Sequence, residues 1–173
     1  AIKNYWYGLE NAAVAAVKTP GLVTATGAPG RQVRFRKAGS FLWCELPSKR
    51  LLCYPYPELE EVVAPWGGTR DGLTYKAVGL NKKWERCHTY GGSLAENVTQ
   101  AVARDLLAEA IVRLEGRGFQ TIFHVHDEVV VEIDAHAPVS MLGNVERIMA
   151  ATPTWAAGLP IAVEGWRARR YRK

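Results

Sequence analysis

The chain has 173 residues, a hydrophobic fraction of 48%, a charged fraction of 23% and a formal net charge of +5. These values are typical of an ordinary globular protein, and no apolar run is long enough to span a membrane. The first residues also lack the basic-then-apolar order of a signal peptide, so a cytoplasmic protein without a membrane partner is expected. The three cysteines lack metal-ligand spacing and are expected to be reduced thiols.

The positive charge is concentrated at the end of the sequence. The last seven residues, Arg167 to Lys173, carry five cations. Such a basic segment is either a solvated tail or a contact for the phosphates of a polyanion, and the sequence leaves both interpretations open.

The first half of the chain combines one helix with several short strands. Apolar and small residues recur at helical spacing over residues 5 to 18, and Pro20-Gly21 ends the run. Residues 19 to 30 are rich in Gly, Pro and Thr and are predicted to be loop. Short strands are then predicted at residues 32–37, which alternate apolar and basic residues, and at 41–46, 51–54, 73–78 and 83–89. The second and third of these flank a turn at Pro47-Ser48, and the last two form another hairpin.

A long helix is predicted from residue 94 to residue 115. Ser93 and Glu96 have the spacing of a capping box, and Gly116 marks the end of the helix. One face of this helix is apolar. A second stripe is polar and consists of Ser93, Asn97, Gln100 and Arg104. It is either an ordinary solvated face or a face that donates hydrogen bonds to a ligand.

The segment from residue 119 to residue 134 predicts a strand, a tight turn and a second strand. It is rich in β-branched and aromatic residues and is interrupted only at His126-Asp127-Glu128. A helix at residues 139–151 and a strand near residues 160–164 follow. The predicted fold is therefore α/β (α+β), with an antiparallel β-hairpin packed against the long helix and additional small hairpins.

The turn of this hairpin is the candidate site. Asp127 and Glu128 are adjacent, two further acidic residues follow, and the segment contains no Lys or Arg. Such a patch suits a hard divalent ion such as Mg²⁺, which proteins hold with one or two carboxylates plus substrate phosphates. His124 and His126, two residues apart on one strand, could instead hold zinc or iron, although no third ligand has metal-binding spacing. A purely structural hairpin is the remaining alternative.

These residues carry a resemblance to a known family. Val125-His126-Asp127-Glu128 between two apolar strands is similar to motif C of family A (polymerase I-like) DNA polymerases. The segment from Gln100 to Leu107 resembles the palm helix that precedes motif C, and the segment from Tyr90 to Asp105 looks most like the phage and prophage branch. The segment from Leu46 to Leu52 is similar to the connection between fingers and palm, so the resemblance covers roughly residues 40 to 170.

The resemblance implies roles for individual residues. Asp127 matches the aspartate that binds both catalytic Mg²⁺ ions, and Glu128 matches the neighbouring acid with a secondary role. His126 matches a residue near the primer terminus, and Gln100 matches a residue that touches the minor groove of the primer-template. Asn97 and Arg104 share the helix face of Gln100 and are assigned DNA contacts on that ground.

One position departs from the family pattern. Many bacterial members have an arginine eight residues before the glutamine, where this chain has Gly92. The contact made by that arginine is therefore not expected here.

The resemblance also implies that the chain is part of a larger enzyme. The second site aspartate, in motif A, and the nucleotide-binding fingers helix, in motif B, have no counterpart here. Residues 1–90 are interpreted as the connecting region and residues 91–173 as the palm helix, the motif C hairpin and the C-terminal helix and strand. The implied partners are primer-template DNA, a deoxynucleoside triphosphate and the missing N-terminal part, in a bacterial cell or a phage-infected host.

Several expectations follow from this interpretation. The isolated chain should not extend a primer, and the Asp127 carboxylate should be exposed on the face to which Gln100 points. Two other functions stay open: a stand-alone nucleic-acid-binding module with the palm shape, and an unrelated metal hydrolase using His124, His126 and Asp127.

Overall fold

The computed structural model describes residues 2–63, 67–79 and 81–171, which form helices and antiparallel sheets. Two compact units are present, Ala1–Gln100 and Ala101–Lys173. In chain order the elements are α1 (Ile2–Lys18), β1 (Val23–Thr26), β2 (Val33–Ala38), β3 (Phe41–Glu45), β4 (Leu51–Pro55), β5 (Glu58–Val63), β6 (Thr69–Val78), β7 (Trp84–Thr89), α2 (Gly91–Glu115), β8 (Gln120–Val125), β9 (Glu128–Glu132) and α3 (Ser140–Ala150).

The first unit has a dense apolar core between α1 and its sheets. Strands β1 to β4 form one antiparallel sheet in sequence order, and β5 to β7 form a second. Leu9 and the small residues Ala13 and Ala16 of α1 are fully buried, as are Phe35 and Leu42. Alanines on the buried face let the helix approach the sheet closely, which places the large side chains of β2 and β3 against it.

A buried carboxylate joins three elements of this unit. Glu10 of α1 keeps only 6% of its surface exposed. One of its oxygens accepts a hydrogen bond from the backbone N–H of Gly91 at 3.0 Å, and the other pairs with the Arg70 guanidinium of β6. Because a buried charge is tolerated only with such partners, Glu10 fixes α1, β6 and the start of α2 together.

The second unit contains the remainder of α2, the β8–β9 hairpin, α3 and a short 3₁₀ helix at Thr154–Ala156. Leu107 and Leu114 of α2 are buried, and so is Ile148 of α3. Arg113 donates to the carbonyl oxygens of Ile148 and Ala151 at 3.2 and 2.8 Å, and these bonds cap the end of α3.

The predicted α/β fold and most of its elements are confirmed. Helix α1 begins three residues earlier than predicted, and the strands and hairpins fall close to their predicted positions. Residue 80, within the predicted turn between β6 and β7, lies outside the described residues. The division into regions 1–90 and 91–173 stays a prediction.

Four details of the sequence interpretation are wrong. Residues 23–26 pair with β2 as strand β1 instead of forming loop, and β5 was not predicted. Residues 160–164 have alternating exposure but form no strand, because no strand lies beside them among the residues that the structure describes.

The capping box is the fourth error. Helix α2 begins at Gly91, before Ser93, and Glu96 accepts a hydrogen bond from the Gln100 amide instead of capping the first turn. The first free amide of the helix is satisfied by Glu10 from α1, which local sequence spacing cannot reveal.

Candidate metal-binding and nucleic-acid-binding site

The candidate carboxylates lie at the tip of the β8–β9 hairpin. Val125 pairs with Glu128, so His126 and Asp127 form a two-residue turn. His126 has a φ of 52°, in the left-handed region that L-residues other than Gly, Asn and Asp seldom adopt. The predicted strand, tight turn and strand are therefore confirmed, with the candidate aspartate in the turn itself.

Both carboxylates are accessible at this tip. Asp127 and Glu128 are exposed. The hydroxyl of Tyr171 donates to a Glu128 oxygen at 3.3 Å, and the Tyr171 ring packs edge-on against Phe123 with ring centroids 5.1 Å apart. Desolvation and then the Glu128 charge raise the pKa of Tyr171, which stays a hydrogen-bond donor at neutral pH. Sequence reasoning missed Tyr171, because nothing in its spacing relates it to the hairpin.

A β-bulge interrupts the first strand of the hairpin. Thr121 pairs with Val131 and Phe123 pairs with Val130, so Ile122 is the extra residue. Bulges increase local twist and change the direction of the side chains that follow. The residues between Phe123 and the turn therefore owe their orientation to Ile122.

The two histidines do not form a metal site with their neighbours. His124 Nε2 lies 3.4 Å from a guanidinium nitrogen of Arg104, and His126 is exposed in the turn. In the described part of the chain, no group of three or more His, Cys, Asp or Glu side chains is arranged to hold a metal ion. The metal hydrolase hypothesis therefore gains no ligand set from the structure.

The polar face of α2 is open to solvent at three of its four predicted positions. Asn97, Gln100 and Arg104 are exposed, whereas Ser93 is half-buried. Asn97 donates to the Tyr54 hydroxyl at 3.2 Å, so its amide also supports the fold. Gln100 belongs to the first unit and Asp127 to the second, and the expectation that they face one site stays a prediction.

The basic end of the chain is partly fastened by backbone acceptors. Arg167 donates to the carbonyl oxygens of Ala137 and Ala135, both at 2.7 Å. Arg167 therefore has a structural role, because it ties the end of the chain to the residues that follow β9. Residues 172 and 173 of the predicted basic tail lie outside the described residues.

Comparison with known proteins supplies the decisive observation. The chain is 38% identical, over 99% of its length, to a protein named DNA polymerase from Bacillus phage SP02. The chain is similar to part of a phage DNA polymerase. It spans only 25% of the length of that relative, and no family model and no solved structure matches it.

This similarity confirms the predicted resemblance to part of a phage DNA polymerase. It does not assign roles to Asp127, Glu128, His126 or Gln100, which remain predictions. No helix in the described residues is long and apolar enough to cross a membrane.

Proposed function

We propose that this chain is the palm-containing, C-terminal part of a family A DNA-directed DNA polymerase and supplies the motif C aspartate, Asp127, for nucleotidyl transfer. The observation that carries the proposal is the exposed Asp127-Glu128 pair at a hairpin turn, in a chain 38% identical to a phage DNA polymerase. Primer-template DNA and a deoxynucleoside triphosphate are the proposed substrates.

The donor set at the turn fits Mg²⁺ in part. Asp127 and Glu128 offer hard oxygen ligands, and an exposed tip leaves room for water and phosphate oxygens to complete an octahedral shell. When bound, two such ions would activate the primer hydroxyl and offset charge on the transferred phosphate. Asp127 would supply a carboxylate at a fixed position in the turn. The positive φ of the preceding residue, His126, is part of the turn conformation that gives this position.

A second carboxylate has to come from elsewhere in the polymerase. The β8–β9 sheet has two strands, so each strand has one edge without a strand partner in the described residues. Ile122 and Phe123 also stay 50% and 37% exposed. Open edges and exposed apolar side chains accept a further strand readily, which supports the proposal that the rest of the polymerase brings the second aspartate here.

The exposed face of α2 supports the proposed DNA contact. Gln100 has a free amide oxygen, since its nitrogen donates to Glu96, and amide groups suit the donors and acceptors of the minor groove. Arg104 contributes a cation next to His124, and cations of this kind contact phosphates. His126, at the exposed tip, is proposed to pack near the primer terminus.

A second function retains the DNA contacts without the chemistry. The described residues contain no complete metal-ligand group, which is also what a stand-alone nucleic-acid-binding module with the palm shape would show. The two functions differ in one respect: only the polymerase depends on the Asp127 carboxylate.

The test is primer extension by the complete polymerase that carries this chain. Asp127→Asn should lower kcat by about a thousandfold or more while the Kd for primer-template changes little, because the carboxylate acts on metal in the transition state. Asp134→Asn is the matched control, since its amide oxygen can still accept from the His136 N–H and it lies outside the turn.

Three outcomes decide the assignment. Glu128→Gln should cause a much smaller loss than Asp127→Asn. Incorporation by Asp127→Asn within a few-fold of the parent would contradict the catalytic role and favour the binding module. Template-dependent extension by the isolated chain, lost in Asp127→Ala, would show that it already contains both carboxylates.

A further inference from the structure

A groove on the first unit is lined by aromatic and polar residues. It has a volume of about 410 Å³, and its lining includes Trp6, Tyr90, Gly92, Glu96, Thr99 and Gln100. This volume lies within the range of small-molecule sites, roughly 300–1,000 Å³. Every lining residue belongs to the first unit, so the groove is complete within it.

Two glycines lie against the aromatic residues of this groove. A Cβ at Gly91 would collide with the backbone of Trp6, so α1 and the start of α2 touch through the missing side chain. A Cβ at Gly92 would lie 2.5 Å from the Tyr90 ring, which therefore occupies the space above this glycine. The result is that Trp6 and Tyr90 border the same groove, yet remain 39% and 56% exposed.

The polar side chains of the groove, Glu96 and Gln100, accept hydrogen bonds, and the Glu96 charge repels anions. Gln100 donates its amide nitrogen to Glu96 at 3.2 Å, which leaves the Gln100 carbonyl oxygen and the second Glu96 oxygen as acceptors. Among the residues that the structure describes, no Lys or Arg lines the groove. A phosphate is therefore disfavoured there, whereas a flat ring that carries N–H donors finds both stacking surfaces and acceptors.

We propose that this groove binds one unpaired base of single-stranded DNA, in contact with the rings of both Trp6 and Tyr90 and with its amino group directed to Glu96 and Gln100. The proposal rests on the proposed function, because Gln100 belongs both to the groove and to the proposed DNA-binding face of α2. Single-stranded DNA proteins commonly hold bases on exposed aromatic rings. Cytosine, adenine and guanine carry an exocyclic amino group and thymine does not, so the groove should prefer oligo(dC) to oligo(dT).

The test is fluorescence anisotropy with labelled oligo(dC), oligo(dT) and a blunt duplex, titrated with the chain at low salt. Stacking of one base is worth ~1–3 kcal/mol, so Trp6→Ala and Tyr90→Ala should each weaken oligo(dC) binding about tenfold, with little change for blunt duplex. Trp84→Ala is the matched control, because Trp84 is 55% exposed on β7 and does not line the groove. It should leave all three affinities unchanged.

Two further variants separate stacking from folding and from base preference. Trp6→Phe keeps a ring and should retain most of the affinity that Trp6→Ala loses. Glu96→Gln should reduce the preference for oligo(dC) over oligo(dT), since it removes the charged acceptor. Thermal unfolding of each variant identifies any loss of oligo(dC) affinity that arises from misfolding. If Trp6→Ala is misfolded, Tyr90→Ala provides the measurement in its place.

The proposal is overturned by several results. These are a parent chain that does not bind oligo(dC), an equal loss of oligo(dC) and duplex binding in both alanine variants, or an equal loss in Trp84→Ala. Failure of the groove is distinguishable from failure of the polymerase assignment. The polymerase assignment is decided by primer extension with Asp127→Asn in the complete polymerase, whereas the groove is decided by oligo(dC) binding of variants that leave the turn carboxylates intact.

Discussion

The first unit and the β8–β9 hairpin place their carboxylates in opposite environments. Glu10 is buried, shares its two oxygens between Gly91 and Arg70, and joins three elements. Asp127 is exposed in a turn, and both hairpin strands contain no buried residue. A carboxylate with satisfied oxygens holds a fold together, whereas one whose oxygens face water is available to a ligand. Glu10 and Asp127 are both acidic in the sequence, and only their surroundings in the structure distinguish a structural carboxylate from an available one.

The largest expected effect on stability comes from replacing the buried carboxylate by its amide. Glu10→Gln leaves one acceptor oxygen for two donors, so the free energy of unfolding should fall by about 3 kcal/mol. Urea denaturation of the chain measures this change. Asp127→Asn makes the same chemical substitution at the exposed turn and should leave the free energy of unfolding unchanged. Equal losses in the two variants would remove the distinction between the environments.

A pair of glycines gives the next effect. Gly91→Ala forces a methyl group against the Trp6 backbone and should destabilise the chain by about 2 kcal/mol, as overpacking does. Gly143 lies in α3 with no atom within 4 Å of an added Cβ, so Gly143→Ala should stabilise by up to about 1 kcal/mol through helix propensity. Thermal unfolding distinguishes the two, and an unchanged midpoint in Gly91→Ala would contradict the close approach of α1 and α2.

A smaller effect tests whether the hairpin turn is strained for function. His126→Gly should raise the free energy of unfolding by at most about 1 kcal/mol, because glycine adopts a positive φ without a steric penalty. In the complete polymerase the same change should lower incorporation, since it removes the side chain proposed to lie near the primer terminus. Lys82, with a φ of 59°, provides the control: Lys82→Gly should be as stabilising and leave incorporation unaltered.

The smallest effect at neutral pH concerns a thiol in the core of the first unit. Burial raises the pKa of Cys44 to about 12, from 9.0. Between these values the unfolded chain loses the proton and the folded chain keeps it, so the free energy of unfolding should fall as pH rises above 9. Cys44→Ala should flatten that part of the pH profile. At pH 8, a thiol reagent should modify exposed Cys53 well before Cys44.

Patterns among neighbouring residues predicted the elements whose formation depends on neighbouring residues. Apolar periodicity located α1 and α2, and the β-branched run around His126 located the hairpin, because both signals arise from neighbours in sequence. The start of α2 could not be predicted this way, since its first amide is satisfied by Glu10, 81 residues earlier in the chain. Strand β1 has the composition of a loop and is ordered by pairing with β2.

In the candidate site too, residues close in sequence were predicted and residues brought together by the fold were not. Asp127 and Glu128 were identified from adjacency and from the absence of cations around them. Tyr171 was missed, because its contacts with Glu128 and Phe123 join residues far apart in sequence. The aromatic groove was missed for the same reason: Trp6 and Tyr90 become neighbours only when α1 packs against the start of α2.

The bulge at Ile122 has a consequence for how this hairpin can change in evolution. Side chains of a strand alternate between two faces of the sheet. Deleting one residue would therefore move every side chain on one side of the deletion to the other face. Ile122 is the one position where the ladder already contains an odd residue. Elsewhere in the hairpin, insertions and deletions should therefore occur in pairs. An alignment of relatives should show even-numbered gaps in β8 and β9, with single-residue gaps confined to Ile122 or the turn.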